Sequence, residues 1–182
     1  MTTLKSCLLV LAALVAGSLA GCSSTATKSP DVADSVRKAL DNAGYKDVSS
    51  SQDRDKGVVT LSGHVPTEGD KANAESIAKT IAGPQVVSNE IAVIPPGAES
   101  DAKTVNSNLD KGIENNLNAA LVQEKLHATV KYSVKNHVVT LSGEVASQAL
   151  RARAEEVALA VVNVQQVVNE LQVKGQKATS SK

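Results

Sequence analysis

Two stretches of the chain, residues 58–65 and 138–145, alternate apolar and polar positions with the period of a β-strand. Both begin with the same six letters, VVTLSG, eighty residues apart. Alternation places Val59, Leu61 and Val65 on one face of the first strand, together with a glycine at position 63. Each strand therefore has one face suited to a core.

The repeat is longer than these six residues. An offset of eighty aligns residues 58–93 on 138–173 without a gap, and about sixteen of the thirty-six pairs are identical. A long period with only two copies indicates two similar domains rather than a solenoid.

The same order of patterns occurs in each copy. Helical stripes run from Asp31 to Ala43 and from about Asp110 to Gln123. A strand follows, with Val130, Tyr132 and Val134 on one face in the second copy and a weaker pattern around 48–52 in the first. Tight turns at 55–57 and 135–137 join these strands to the repeated ones as hairpins.

A second helix and a third strand complete each copy. The helix of the first copy starts at a capping-box pattern, Thr67 to Asp70, and that of the second copy starts at Ser147. The last strand alternates over 87–93 and 167–173. The predicted order is helix, strand, strand, helix, strand, an α+β fold.

The segments between and around the copies are polar or signal-like. We predict a signal peptide over 1–21, a tether over 22–30, a first domain over 31–94, a linker over 95–108, a second domain over 109–173 and a disordered tail over 174–182. Below, copy one is residues 31–94 and copy two is residues 109–173.

Composition narrows the function. Lysine plus arginine and aspartate plus glutamate both total 19, so no strong net field favours nucleic acid. Copy one carries a net charge of −3 and copy two of −1, and the tail adds lysines. The absence of Trp and Phe counts against deep insertion into a membrane.

The start of the chain resembles a bacterial lipoprotein signal. Lys5 precedes an apolar stretch that ends at Leu19-Ala20-Gly21-Cys22. This is similar to a lipobox, which implies cleavage between Gly21 and Cys22 and acylation of Cys22. Ser23, rather than aspartate, then implies sorting to the outer membrane, facing the periplasm. The alternative is an ordinary secretory signal with a chance cysteine.

The two copies resemble the BON domain. The hydrophobic strand ending in glycine, VVTLSG-x-V, and the VVxNE and VVNE of the third strand carry the resemblance. It implies two tandem αββαβ domains, each with a three-stranded mixed sheet and two helices on one face. It also implies non-catalytic binding to phospholipid surfaces and support of outer-membrane integrity or of tolerance to envelope and osmotic stress.

Four positions on the apolar strand faces do not fit a simple core. Gly63 and Gly143 indicate that a helix backbone passes close to the strand or that a bulge redirects it, with a ligand approach as the alternative. Asn89 and Asn169 must find partners if they are buried. We expect them to bond backbone groups near a helix start, with a ligand role as the alternative.

Catalysis and cofactors find no support in the sequence. The three histidines differ between the copies and show no metal-ligand spacing, and no nucleotide-binding or serine-hydrolase motif occurs. The GXXG loop of RNA-binding KH domains is also absent. We expect no enzyme, no metal and no cofactor.

Two binding hypotheses remain. If anionic phospholipid is bound, copy two and its tail are the less acidic half, and the candidate contacts there are Lys111, Lys125, Lys131, Lys135, Arg151 and Arg153. The alternative is a tethered protein-interaction module that docks onto envelope assembly machinery. Its contact face would be the outer side of the sheets, with Thr60, Ser62, Thr140 and Ser142.

Overall fold

The computed structural model describes residues 28–174; the predicted signal, Cys22 and residues 175–182 lie outside this range. Copy one contains α1 (Ala33–Asn42), β1 (Val48–Asp53), β2 (Val58–Val65), α2 (Glu68–Ala82), β3 (Val86–Asn89) and β4 (Ala92–Val93). The second half contains α3 (Glu99–Gln123), β5 (Val130–Lys135), β6 (Val138–Val145), α4 (Gln148–Leu159), β7 (Gln166–Asn169) and β8 (Gln172–Val173). The predicted α+β duplication is confirmed.

Each copy forms one mixed sheet around its repeated strand. The hairpin partner, β1 or β5, pairs antiparallel with the central strand, β2 or β6. The third strand pairs parallel on the other side, first as β3 or β7 and then as β4 or β8. The third strand is thus interrupted after Asn89 and after Asn169, where the sequence predicted one continuous strand.

Helices cover one face of each sheet. In copy one, Leu40 of α1 and Ala74 and Ala78 of α2 are buried against Val59 and Leu61 of β2. In copy two, Leu117 and Leu121 of α3 occupy the corresponding place. The side chains of Thr67 and Ser147 cap α2 and α4 by accepting bonds from the N–H groups of Asp70 and Leu150. The capping pattern therefore sets the start of both helices.

The predicted linker 95–108 is largely helical, which corrects the expected helix start near Asp110. Helix α3 begins at Glu99 and runs for 25 residues without a break. Its first turns are mostly polar and exposed, and their only apolar stripe is the sparse set Ala102, Val105 and Leu109, none of which is buried. The irregular connection between the copies is limited to the short segment after Val93.

The two copies dock against each other in antiparallel orientation. Lys56, in the hairpin turn of copy one, lies 2.7 Å from Glu170, just after β7. Lys135, at the hairpin turn of copy two, lies 3.0 Å from Glu90, just after β3. Between these contacts, Val58, Val138 and Val168 form a buried apolar cluster. The hairpin turn of each copy therefore meets the break in the third strand of the other copy, and the two third strands run in opposite directions.

Candidate functional site

Asn89 and Asn169 occupy the same bonding arrangement in the two copies. Asn89 is 3% exposed, and its amide nitrogen donates to the carbonyl of Lys71 at 3.2 Å and to the carboxylate of Glu75 at 2.9 Å. Its amide oxygen accepts from the N–H of Ile91 at 3.4 Å. Both N–H donors of the amide are therefore occupied, and its oxygen has one of its two acceptor positions filled.

The second copy repeats this arrangement. The amide nitrogen of Asn169 donates to the carbonyl of Arg151 at 3.2 Å and to Glu155 at 2.8 Å, and its oxygen accepts from the N–H of Leu171 at 3.2 Å. Lys71 and Arg151 both lie in the first turns of their helices. In each copy the asparagine thus forms a pin: its hydrogen bonds connect the break in the third strand to the start of the preceding helix.

Two pKa values are shifted around Asn89. Burial raises the pKa of Glu75, but hydrogen bonds from Lys79 and Asn89 outweigh burial, and the pKa is lowered below its ordinary value. Burial lowers the pKa of Lys71, although the nearby carboxylates of Glu68, Glu75 and Asp110 oppose this effect. The Lys71 ammonium donates to Gln165 of copy two at 3.0 Å.

Gly63 of β2 and Gly143 of β6 lie opposite the first residue of the neighbouring strand, which is Val48 of β1 and Val130 of β5. Their φ angles are +110° and +119°, a region that side chains rarely adopt. A Cβ atom would lie 1.9 Å from the carbonyl oxygen of Asp47 at position 63, and 2.3 Å from that of Thr129 at position 143. The close neighbour is therefore the segment before β1 or β5, not a helix.

Arg151 does not belong with the candidate lipid contacts. Its side chain is 4% exposed, and its guanidinium donates to the carbonyls of Leu171 at 3.0 Å and Asn169 at 2.9 Å. The sequence contained a signal for this burial, because Arg151 lies on the same stripe as Ala154 and Ala158. Reaching a membrane surface would break both bonds, so its role is structural.

Two further candidates carry charges that acidic groups already neutralise. Arg153 forms a two-point contact with Glu124, with both distances between 2.8 and 3.0 Å, and also contacts Glu156 at 2.8 Å. Lys135 pairs with Glu90 across the two copies. Their contribution to an attractive surface potential is correspondingly small.

Lys111, Lys125 and Lys131 are the candidates that stay exposed. Within residues 28–174, none of the three forms a salt bridge. They do not share one element: Lys111 lies within α3, Lys125 follows its end and Lys131 lies on β5. The six predicted contacts therefore do not form a single basic face.

The outer sheet faces are only partly open. Thr60, Ser62, Thr140 and Ser142 are half-buried, and Val58 and Val138 at the start of the same strands are buried between the copies. A partner docking on these faces would have to compete with the contact between copies, or bind beside it.

The contact between copies depends on a residue that sequence reasoning missed. The side-chain amide of Gln166 accepts from the N–H of Asn89 at 2.9 Å and donates to the carbonyl of Val87 at 2.7 Å. It thus satisfies the outer edge of β3, as a neighbouring strand would. The one signal in the sequence was a difference between the copies: position 166 is glutamine, whereas the matching position 86 is valine.

Between residues 28 and 174, no group of His, Cys, Asp and Glu side chains is arranged to hold a metal ion. None of the helices in this range has the length and apolar character that crossing a bilayer requires.

The chain is similar in sequence to a known family and to a protein of Escherichia coli. The BON domain family matches residues 29–95 and 109–175. Osmotically-inducible protein Y of Escherichia coli (strain K12) is 34% identical over 142 residues, which span 76% of this chain and 69% of that protein.

Two solved structures of CdsD, a structural protein of the type III secretion system of Chlamydia trachomatis, align at 14% and 12% identity. The alignments cover 77% and 81% of this chain, with TM-scores of 0.33 and 0.34. This chain spans 60% of the first CdsD chain, less than two thirds, and 99% of the second, its C-terminal domain. Similarity at this level carries no conclusion about fold or function.

Proposed function

This chain belongs to the BON-domain family, and on that premise we propose that it is a non-catalytic protein of the bacterial cell envelope. It is held at the outer membrane by an acylated Cys22 and faces the periplasm. Its domains contact anionic phospholipid and support the integrity of that membrane. The observation that carries this proposal is a lipobox-like Leu19-Ala20-Gly21-Cys22 placed before two BON domains.

A role under osmotic stress follows from the relative. The E. coli protein at 34% identity is named as osmotically inducible. We extend that condition to this chain as part of the proposal, with barrier support as the task. The prediction is a loss of growth in hyperosmotic medium when the protein is deleted, restored by the wild-type gene.

Lys111, Lys125 and Lys131 support the lipid part of the proposal. They are exposed and free of salt bridges within residues 28–174, and they belong to the less acidic copy. A lysine close to an anionic leaflet contributes about 1 kcal/mol to binding. Three such residues give weak, reversible contact, which suits a protein that an acyl anchor already holds at the surface.

Flotation of the unlipidated chain, starting at Ser23, tests this recognition apart from the anchor. We expect it to float at low salt with vesicles of phosphatidylglycerol or cardiolipin, but not with phosphatidylcholine. The double variant Lys125→Gln/Lys131→Gln should lose about 2 kcal/mol, or roughly 30-fold in affinity.

The matched control removes the same charge from copy one. Lys38 and Lys46 are exposed and also lack a salt bridge within the described residues. The variant Lys38→Gln/Lys46→Gln should bind like the wild type. Equal losses in both variants would show non-specific attraction, and no flotation of the wild type would reject lipid recognition by the domains.

A protein-interaction module is the second candidate, and the edge of β3 favours it. Two hydrogen bonds of that edge are made to the side-chain amide of Gln166 from copy two. An extended segment of an envelope partner could replace them by adding a strand. Crosslinked partners that are retained after phospholipid depletion would support this candidate over the first.

A further inference from the structure

The chain that leads from Cys22 is fixed to the hairpin of copy one. The N–H of Ser29 donates to the carbonyl of Arg54 at 2.9 Å, and the Arg54 side chain donates back to the carbonyl of Ser29 at 2.8 Å. The carbonyl of Pro30 accepts from Gln52 at 2.7 Å and from Gln85 at 3.2 Å. The predicted tether therefore ends before Ser29, at the hairpin-turn end of copy one.

Chain length then limits where that end can lie. Six residue steps separate Cys22 from Lys28, and extended chain spans at most about 3.6 Å per residue, or roughly 20 Å in all. An acylated Cys22 sits at the membrane surface. The hairpin-turn end of copy one must consequently lie within about 20 Å of the leaflet.

Antiparallel docking brings one end of copy two to the same side of the molecule. Lys56, in the hairpin turn of copy one, contacts Glu170. Lys174 follows four residues later, where its N–H bonds the carbonyl of Val145 at the end of β6. Lys131 of β5 pairs with Ser142 of β6. The end of copy two that carries Lys131 and Lys174 thus lies beside the tether exit.

The equivalent end of copy one points away from the tether and has different chemistry. Positions in the two copies are matched by the bonds that they share. The strand registers match Ser49 with Lys131, and the helix caps match Asp70 with Leu150. Backbone hydrogen bonds match Gly44 with Lys125 and Ile94 with Lys174. Leu150 is 38% exposed, on the first turn of α4. At these four positions copy two has three lysines and a leucine, whereas copy one has no cation. Lys46, on the same end of copy one, matches His127 and is the one exposed lysine there among the described residues.

The turn of copy one adds little charge of its own. Lys28 pairs with Asp55 at 3.5 Å and Arg54 with Asp31 at 3.6 Å, while Lys56 is shared between Asp53 and Glu170. The cationic excess on this side of the molecule therefore comes from copy two, with exposed Glu144 as an opposing charge on the same end.

From these observations we propose that the molecule sits on the membrane in one orientation, with this end of copy two against an anionic phospholipid leaflet. Lys125, Lys131 and Lys174 meet lipid head groups, and Leu150 reaches the interface. Lys111, next to Asp110 at the hairpin-turn end of copy two, makes no lipid contact in this orientation. The equivalent end of copy one faces the periplasm. This inference rests on the proposed function, because the acylated Cys22 supplies the limit on distance.

Fluorescent labelling of the full acylated protein tests the orientation. Acylation of Cys22 leaves the processed chain without another thiol, so a single introduced cysteine is labelled cleanly. The variants are Lys131→Cys and Leu150→Cys in copy two, with Ser49→Cys and Asp70→Cys as matched controls in copy one. Each is bound to phosphatidylglycerol vesicles that contain a lipid with a nitroxide head group as quencher.

We expect the labels at 131 and 150 to lose most of their fluorescence, and those at 49 and 70 to keep it. Equal quenching of both pairs, or stronger quenching at 49 and 70, would overturn the inference while leaving the proposed function intact. An unmodified Cys22, or failure of the acylated chain to float with vesicles, would overturn both together.

Discussion

Copy one and copy two share their internal bonding and differ on their surfaces. The strand registers, the positive φ of Gly63 and Gly143, and the asparagine pins are the same in both. Exposed positions have diverged: all five large hydrophobic side chains that are exposed within residues 28–174 belong to α3, α4 and the turn after α4. The shared residues hold the fold, so a function that distinguishes the copies must reside in the diverged surface.

The largest expected effect is at the strand glycines. Gly63→Ala or Gly143→Ala forces a side chain into a positive φ and against a backbone carbonyl, at a cost of about 4 kcal/mol. The shorter approach, 1.9 Å against 2.3 Å, predicts the greater loss at position 63. Urea unfolding of both variants measures this. Losses below about 1 kcal/mol would show that the strands relax and that these glycines are not required.

The asparagine pins come next. Asn89→Ala leaves the half-buried carboxylate of Glu75, a carbonyl and an N–H without the amide partner, and should cost about 3 kcal/mol. Asn169→Ala should cost less, about 2 kcal/mol, because Asn169 is only half-buried and water can replace the amide. Thermal melting gives the stabilities, and vesicle flotation gives the binding. A stable variant that no longer binds lipid would instead assign the asparagine a ligand role.

A smaller effect is expected where the copies dock. Gln166→Val introduces valine, the residue that copy one has at the matching position 86. It removes the two hydrogen bonds from Gln166 to the edge of β3. Docking should weaken by about 1 kcal/mol or slightly more. Faster hydrogen exchange at the amide of Asn89, with the core amides unchanged, would show this.

The variant Gln172→Val serves as the control for that measurement. It makes the same substitution at an exposed position of β8 and retains the Gln166 contacts, so the exchange rate at Asn89 should stay at the wild-type value. Unchanged exchange in Gln166→Val would mean that the edge of β3 is protected by something other than this amide.

The smallest effect is a pH dependence at one pin. The folded state lowers the pKa of Glu75 below its ordinary value of 4.5, so the ionised form stabilises the protein above that pH. This stabilisation is lost as the pH falls from 4.5 through the lower folded value. Glu75→Gln should therefore differ from the wild type in unfolding free energy near neutral pH and converge with it in acid. A difference that is constant with pH would contradict this.

The sequence predicted those helices and strands in which apolar residues recur at the full helical or strand period. The duplicated strands, the caps at Thr67 and Ser147 and the core stripes of the helices follow from alternation and capping rules. It was insufficient for the start of α3, because residues 99–109 are mostly polar and their sparse stripe of Ala102, Val105 and Leu109 stays outside the core. The break after Asn89 was hidden because alternation continues through it.

Surface assignments were less predictable, because they depend on contacts distant in sequence. Val58 and Val138 alternate outward, yet they are buried by the other copy. Arg153 and Lys135 are exposed cations in the sequence, but their partners are 29 and 45 residues away. Arg151 is different, since its place on an apolar stripe already indicated burial.

The most direct test of the central claim is the intact mass of the native protein purified from membranes. The account predicts a chain that begins at Cys22 and carries a diacylglyceryl group, with a further acyl chain on its new N-terminus. A chain with an unmodified thiol at Cys22, or one that is cleaved elsewhere and released from membranes, would contradict it.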